Sequence, residues 1–148
     1  MLKKNLKRLY LIQNNMNILQ KICQFKRKEI ENLKKVKTVE DFSLQKRNIK
    51  KNSFLNCLKK SKINLIAEIK RQSPSAGLIK SDFDVLKIAR EYERAGAECL
   101  SILTENNFFG GDIHFIKHVK SHIKLPVLRK DFIIDEWQIF ESYFYGAD

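Results

Sequence analysis

From Ile63 onward, short apolar runs alternate with amphipathic ones, three times over at about 30-residue spacing, the size of a βα unit with its return. Leu65-Ile66-Ala67-Glu68-Ile69-Lys70 reads as a strand, ended by the turn-rich Ser73-Pro74-Ser75-Ala76-Gly77. Asp84 then caps a helix carrying Val85, Ile88, Ala89, Tyr92 and Ala95, stopped by Gly96. Cys99-Leu100-Ser101-Ile102-Leu103 is a second strand, followed by a loop with Phe108, Phe109, Gly110 and Gly111. Asp112 opens a second helix, with Ile113, Ile116, Val119 and Ile123 on one face. Pro126-Val127-Leu128-Arg129-Lys130 is the third strand, and Asp135 with Gln138 makes a capping box for a helix running to Gly146. Nearly continuous apolar strands between amphipathic helices predict an α/β fold, a parallel sheet covered by helices. No GxGxxG follows the first strand, which argues against a dinucleotide site. A doubly wound sheet and part of a (β/α)8 barrel both fit the pattern.

The front of the chain has a different character. Residues 1–62 hold 18 basic and 4 acidic side chains, net +14, whereas residues 63–148 hold 11 and 13, net −2. Residues 1–15 read as a ragged extension. In 16–37 a helical stripe runs through Ile18, Ile22, Phe25, Leu33 and Val36, with Glu29 its one charged member. Residues 38–51 are polar and lysine-rich and read as a linker, after which Ser53 caps a short helix with Phe54, Leu55 and Leu58. The lysines read as a solvated helix surface rather than a nucleic-acid patch, because few aromatics are interleaved with them. Cys23, Cys57 and Cys99 form no CxxC pair, which argues against a zinc site or disulfide framework and for a reducing, cytoplasmic setting. Apolar runs of only a few residues predict no membrane span.

Glu68 and Lys70 lie two apart on a strand and so share a face. Charges facing into a parallel sheet are costly unless they pair or act. Arg129-Lys130-Asp131 ends the third strand likewise. Charged groups at the C-terminal ends of two strands are what a barrel active site needs, and a lysine shielded from water beside other cations is a usable proton donor. Structural salt bridges are the competing account of the same residues. His114, His118 and His122 recur every four residues in a column opposite the apolar stripe, so they face solvent and predict no metal site. Ser73 and Ser75 lack a partnering histidine pattern and shape a loop or touch a phosphate. Phe108 and Phe109 suit either a wall for an aromatic ligand or packing over a rim.

These segments resemble the indole-3-glycerol phosphate synthase family. The resemblance rests on Leu65-Ile-Ala-Glu-Ile-Lys70 with Ser73-Pro-Ser75, on Leu100-Ser-Ile-Leu-Thr-Glu105 with Phe109, and on Leu125-Pro-Val-Leu-Arg-Lys-Asp-Phe132-Ile-Ile-Asp135. Gly146-Ala-Asp148 is similar to the family's lead-in to its fourth strand. Residues 16–37 resemble its N-terminal helix and Ser53-Phe54 its second short helix, while residues 1–15 match nothing, which makes Met16 a candidate natural start.

The resemblance implies a (β/α)8 TIM barrel preceded by extra helices, without metal or organic cofactor. It implies closure of the indole ring of 1-(2-carboxyphenylamino)-1-deoxyribulose 5-phosphate with loss of CO2 and water. It further implies that Lys130 protonates the substrate carbonyl, that Lys70 pairs with the carboxylate and serves later proton transfers, and that Glu68 assists dehydration. Phe109 and Phe132 would pack on the anthranilate ring and Ser73 would lie near the phosphate. The expected organisation is an extension over 1–15, a helical segment over 16–62, and the first three βα units of the barrel over 63–148. A barrel needs eight strands. The family's later glutamate, its asparagine and its glycine-rich phosphate loops have no counterpart here, so the reading expects a truncated, inactive front fragment. A complementary chain is the partner that would supply the other strands. The alternatives are a basic nucleic-acid-binding protein acting through residues 1–62 and a remnant without function.

Overall fold

The computed structural model describes residues 16–43, 53–59 and 63–148. The extension expected over 1–15, and residues 44–51 of the expected linker, lie outside the described residues. Among the described residues three helices come first: α1 (Ile18–Lys34), α2 (Val39–Ser43) and α3 (Ser53–Leu58). The remainder runs β1 (Ile66–Ile69), β2 (Gln72–Ser73), β3 (Gly77–Leu78), α4 (Val85–Arg94), β4 (Cys99–Leu103), α5 (His114–Lys120), β5 (Val127–Lys130) and α6 (Trp137–Tyr145). Strands β1, β4 and β5 form one parallel sheet in that order, and β2–β3 is a small antiparallel hairpin. The three expected βα units are all present, and the turn expected after the first strand is the hairpin. Among the described residues no helix is long and apolar enough to cross a membrane.

Local chemistry accounts for the boundaries. Asp84 accepts the backbone N–H groups of Leu86 and Lys87 at 2.9 and 3.0 Å, satisfying orphan donors at the start of α4. Before α6, Gln138 Oε1 accepts the Asp135 N–H at 3.2 Å, one half of the expected box. The Asp135 side chain instead takes the Trp137 N–H at 2.9 Å, and the Gln138 N–H donates to the Asp135 carbonyl at 3.1 Å. Gly146 closes α6 at φ 111°, a left-handed position that favours glycine. Between the helices and the sheet lies the main core: Ala67, Ile69, Leu100, Ile102 and Val127 pack against Val85, Ala89, Ile116 and Val119.

Two features of the front differ from the sequence expectation. The buried residues of α1 are Ile22, Lys26 and Ile30, whereas Ile18, Phe25, Leu33 and Val36 are exposed. At 100° per residue, the buried face is turned about 60° from the apolar stripe. The Lys26 ammonium reaches carboxylates on α1 and just after β5, and Ile30 joins a buried cluster with Phe42 and Trp137, so ionic and apolar contacts together set the buried face. The second difference is α2, which occupies part of the expected linker. The Thr38 backbone N–H donates to Asp41 Oδ2 at 2.7 Å and starts the turn. Phe42 then reaches a second core with Ile30 and Trp137, its ring 5.1 Å from the indole. The Trp137 indole N–H donates to the Lys37 carbonyl at 3.0 Å, so the front helices are fastened to α6 by both apolar and polar contacts.

Phe42 is 1% exposed, and truncating a buried phenylalanine leaves an unfilled cavity. Phe42→Ala is expected to lower stability by about 3 kcal/mol. Urea unfolding followed by the fluorescence of Trp137, the one tryptophan of the chain, measures it. A loss below about 1 kcal/mol would show that α2 lies outside the cooperative unit.

Candidate active site

Strand register decides which side chains meet at the C-terminal ends of the strands. Glu68 lies beside Ser101, Ser101 beside Leu128, and Leu103 beside Lys130. Register partners point the same way, so Glu68, Lys70, Leu103 and Lys130 share the face turned away from the helices. Together with Phe109, Asp131 and Phe132 they line a cavity of about 240 Å³. Lys70 Nζ lies 3.0 Å from Glu68 Oε1, and among the described residues Lys130 has no carboxylate partner. The Phe109 and Phe132 rings face each other across 6.1 Å, tilted by 41°. Five of the six expected site residues are therefore neighbours. Ser73 stands apart on the hairpin, where its Oγ accepts the Ala76 N–H at 3.1 Å and lies 3.4 Å from Ser75 Oγ. A larger cavity of about 420 Å³ opens beside Arg129, Asp131 and Glu141, but these groups are already paired with one another.

Two buried carboxylates present the aromatic loops. Glu105, 1% exposed, accepts the backbone N–H groups of Asn107, Phe108 and Phe109 at 3.1, 2.7 and 3.1 Å. Gly111 lets this loop turn back on the strand, because a Cβ there would lie 2.5 Å from the Leu103 carbonyl oxygen. Asp131 does the same for the loop after β5, accepting from the Phe132 N–H at 2.8 Å and from Thr104 Oγ1 at 2.7 Å. Arg129 Nη2 donates to Asp131 at 3.1 Å and Nη1 to Glu141 at 2.9 Å. Burial raises the Glu141 pKa against the opposing pull of Arg129. Lys26 completes the group, 3.2 Å from Asp131 and 2.8 Å from Glu29. Burial alone would lower the Lys26 pKa, but these two carboxylates outweigh it and hold it above the ordinary 10.5.

The sequence motifs contain Glu105 and Asp131, yet neither shows its role there. For Glu105 the available signal was an acid directly before an Asn-Asn-Phe-Phe-Gly-Gly turn, which has several backbone donors to satisfy. Lys26 gave none. Phe108 packs edge-on against Phe25 of α1 at 5.6 Å rather than lining the cavity. The three histidines are exposed, with His114 against the Tyr145 ring. Burial, then the neighbouring Cys57, pushes the Cys99 thiol up to about 11, which leaves it protonated and unreactive at neutral pH.

A parallel βα sheet in the sequential order β1-β4-β5, with its polar groups gathered at the strand C-termini, has the architecture of the opening units of a TIM-barrel protein, although the described strands do not close a barrel. Comparison with known proteins is more specific: residues 19–148 match the sequence model for indole-3-glycerol phosphate synthase, and the chain belongs to that family. It is 45% identical over 131 residues to the indole-3-glycerol phosphate synthase of Thermoanaerobacter pseudethanolicus, covering 88% of this chain and 50% of that protein. Against the Endomicrobium trichonymphae enzyme of that name the figures are 49% over 137 residues, 88% and 52%. Against that of Acetivibrio thermocellus they are 55% over 86 residues, 58% and 33%. The chain thus spans about half the length, or less, of these curated relatives.

Glu105→Gln keeps the shape but replaces a two-oxygen acceptor by an amide with a single acceptor oxygen. Amide hydrogen exchange is expected to quicken by about tenfold or more at Asn107, which bonds Oε1, or at Phe108 and Phe109, which share Oε2, since each lost bond to a charged acceptor is worth at least that factor. Unchanged protection would mean that Glu105 does not hold the loop.

Proposed function

We propose that this chain forms the part of an indole-3-glycerol phosphate synthase that carries the proton-transferring lysines and the ring-binding walls. The observation carrying the reading is the convergence of Glu68, Lys70, Lys130, Phe109 and Phe132 on one cavity at the strand ends. The substrate on this reading is 1-(2-carboxyphenylamino)-1-deoxyribulose 5-phosphate. Its anthranilate ring lies against Phe109 and Phe132, and its carboxylate pairs with Lys70. The Lys130 ammonium, without a carboxylate partner among the described residues, gives its proton to the ketose carbonyl oxygen. The ring carbon bearing the carboxylate attacks the carbonyl carbon as that proton arrives. CO2 then leaves from the attacking carbon and restores the aromatic ring. In the last step the new hydroxyl departs as water, with Lys70 supplying a proton and Glu68 accepting one. Two lysines suit a substrate carrying both phosphate and carboxylate charges.

Ser73 fits a more distant part of the same ligand, since a hydroxyl on the following hairpin reaches a phosphate rather than the ring. The other barrel strands, on the same polypeptide or on a complementary chain, would contribute the remaining phosphate contacts expected at such a barrel's rim. The reading sets the protein in the cytoplasm, where its three free thiols stay reduced.

The assay joins this chain to the portion of the Thermoanaerobacter relative that it does not span and follows the fluorescence of the indole product. Lys130→Met keeps the side-chain stem and removes the donor, so kcat is expected to fall by about 100-fold or more with folding retained. Near-normal turnover would remove Lys130 from the chemistry. Glu68→Gln is expected to lower kcat by about tenfold or more while KM changes little, because its role lies in proton transfer. A rise in KM alone would make Glu68 a binding group instead.

A further inference from the structure

Lys26 is anomalous for its place. It is the one charged residue on the buried face of α1, and its side chain is 3% exposed. Stability alone gives a poor reason for it, because an apolar side chain of similar length usually does as well in a buried position. What the ammonium gains is a hold on Asp131, whose side chain is 1% exposed. Asp131 sits between Lys130 and Phe132, and every donor it accepts comes from a different part of the site's support. Its Oδ1 takes Lys26 Nζ at 3.2 Å and the Phe132 N–H at 2.8 Å. Its Oδ2 takes Thr104 Oγ1 at 2.7 Å and Arg129 Nη2 at 3.1 Å. In the peptide that joins Lys130 to Asp131, the Lys130 carbonyl accepts the Thr104 N–H at 3.0 Å. The backbone from the Lys130 carbonyl to the Phe132 N–H is thereby fixed, and the hydrogen bond that orients Phe132 shares its oxygen with Lys26.

We propose that Lys26 is a positioning residue of this site, acting through Asp131 to hold Lys130 and Phe132 in their working arrangement. The proposal rests on the reading of Lys130 as proton donor and Phe132 as ring wall. The neighbouring residue reinforces it: Phe25 packs on Phe108, which belongs to the loop that carries Phe109. One turn of α1 therefore touches both loops that bear the aromatic walls. Loss of the Lys26 charge leaves the Asp131 Oδ1 with one donor fewer in a buried place and frees the Lys130–Phe132 segment to shift. Displacements of an ångström at a reacting group cost one to two powers of ten in rate.

Lys26→Met removes the charge and keeps the length, and Lys26→Arg restores a cation. In the 148-residue chain, the Phe132 amide signal in ¹H–¹⁵N spectra is expected to move in Lys26→Met and to return toward its original position in Lys26→Arg. In the joined protein, Lys26→Met is expected to lower kcat by about tenfold with KM changed less than about threefold, and Lys26→Arg to recover most of the loss. Unaltered Trp137 fluorescence verifies that the front helices remain docked. If Lys26→Met fails that check, Lys26→Gln, which keeps a hydrogen-bond donor without charge, takes its place with the same expectation. Wild-type kcat in the docked variant, or a KM effect alone, overturns the proposal. Lys130→Met measured beside it separates the two ideas. An inactive Lys130→Met with an unaffected Lys26→Met removes only the positioning role, whereas activity in both removes the reading of the site as well.

Discussion

The carboxylate of Asp131 is the point at which sheet, helices and site meet. A buried carboxylate is tolerated only when its lone pairs are filled and its charge is matched, and here two cations, a hydroxyl and a backbone N–H do both. Each donor is anchored elsewhere: Lys26 in α1, Arg129 in β5 and bonded onward to Glu141 of α6, Thr104 at the end of β4. Removing any one leaves the others attached to an under-satisfied charge, which is far costlier than never having made the group. That asymmetry turns a set of individually modest bonds into a constraint on where β5 ends and how its loop departs.

Glu105 works by a different principle from the same sheet edge. It takes backbone donors rather than side-chain cations, so it shapes its loop without tying it to another element. The loop's other attachments are apolar or backbone-mediated: Phe108 on Phe25, and the Phe109 carbonyl accepting the Gln72 N–H at 3.3 Å. The two aromatic walls of the cavity are thus carried differently, Phe132 on an ionic hub and Phe109 on a hydrogen-bonded turn.

The βα units were legible from sequence because each strand and helix satisfies a local rule. The alternation of β1, the Asp84 and Asp135 caps and the glycine stop at Gly146 all express short-range chemistry. The cationic ends of β1 and β5 were legible for the same reason, whereas the side of the sheet they share follows from the register of the paired strands. Two other features were not. Lys26 is one of several lysines on a helix, and periodicity assigns such residues to solvent unless the partner acid, more than a hundred positions away, is known. Phe42 stands alone among polar neighbours, and only the surface offered by Ile30 and Trp137 makes its short helix worth forming. Both failures are of long-range origin. The family resemblance proposed the reacting groups while saying nothing of what holds them.

Adjacent residues of β5 show how one strand serves scaffold and site together. Val127 and Arg129 point toward the helices, Leu128 and Lys130 away from them, because side chains alternate along an extended chain. Arg129 is therefore a structural cation, its charge consumed by Asp131 and Glu141, while Lys130, one residue on, faces the cavity without a carboxylate partner among the described residues. A slip of one residue in strand pairing would exchange them, burying Lys130 and turning Arg129 to the cavity. The ionic hub opposes that slip directly, since Arg129 and Asp131 must both lie on the helix side for their network to close. Register at β5 is thus enforced by charge as well as by the apolar core, and the feature that stabilises the end of the strand also decides which cation faces the cavity.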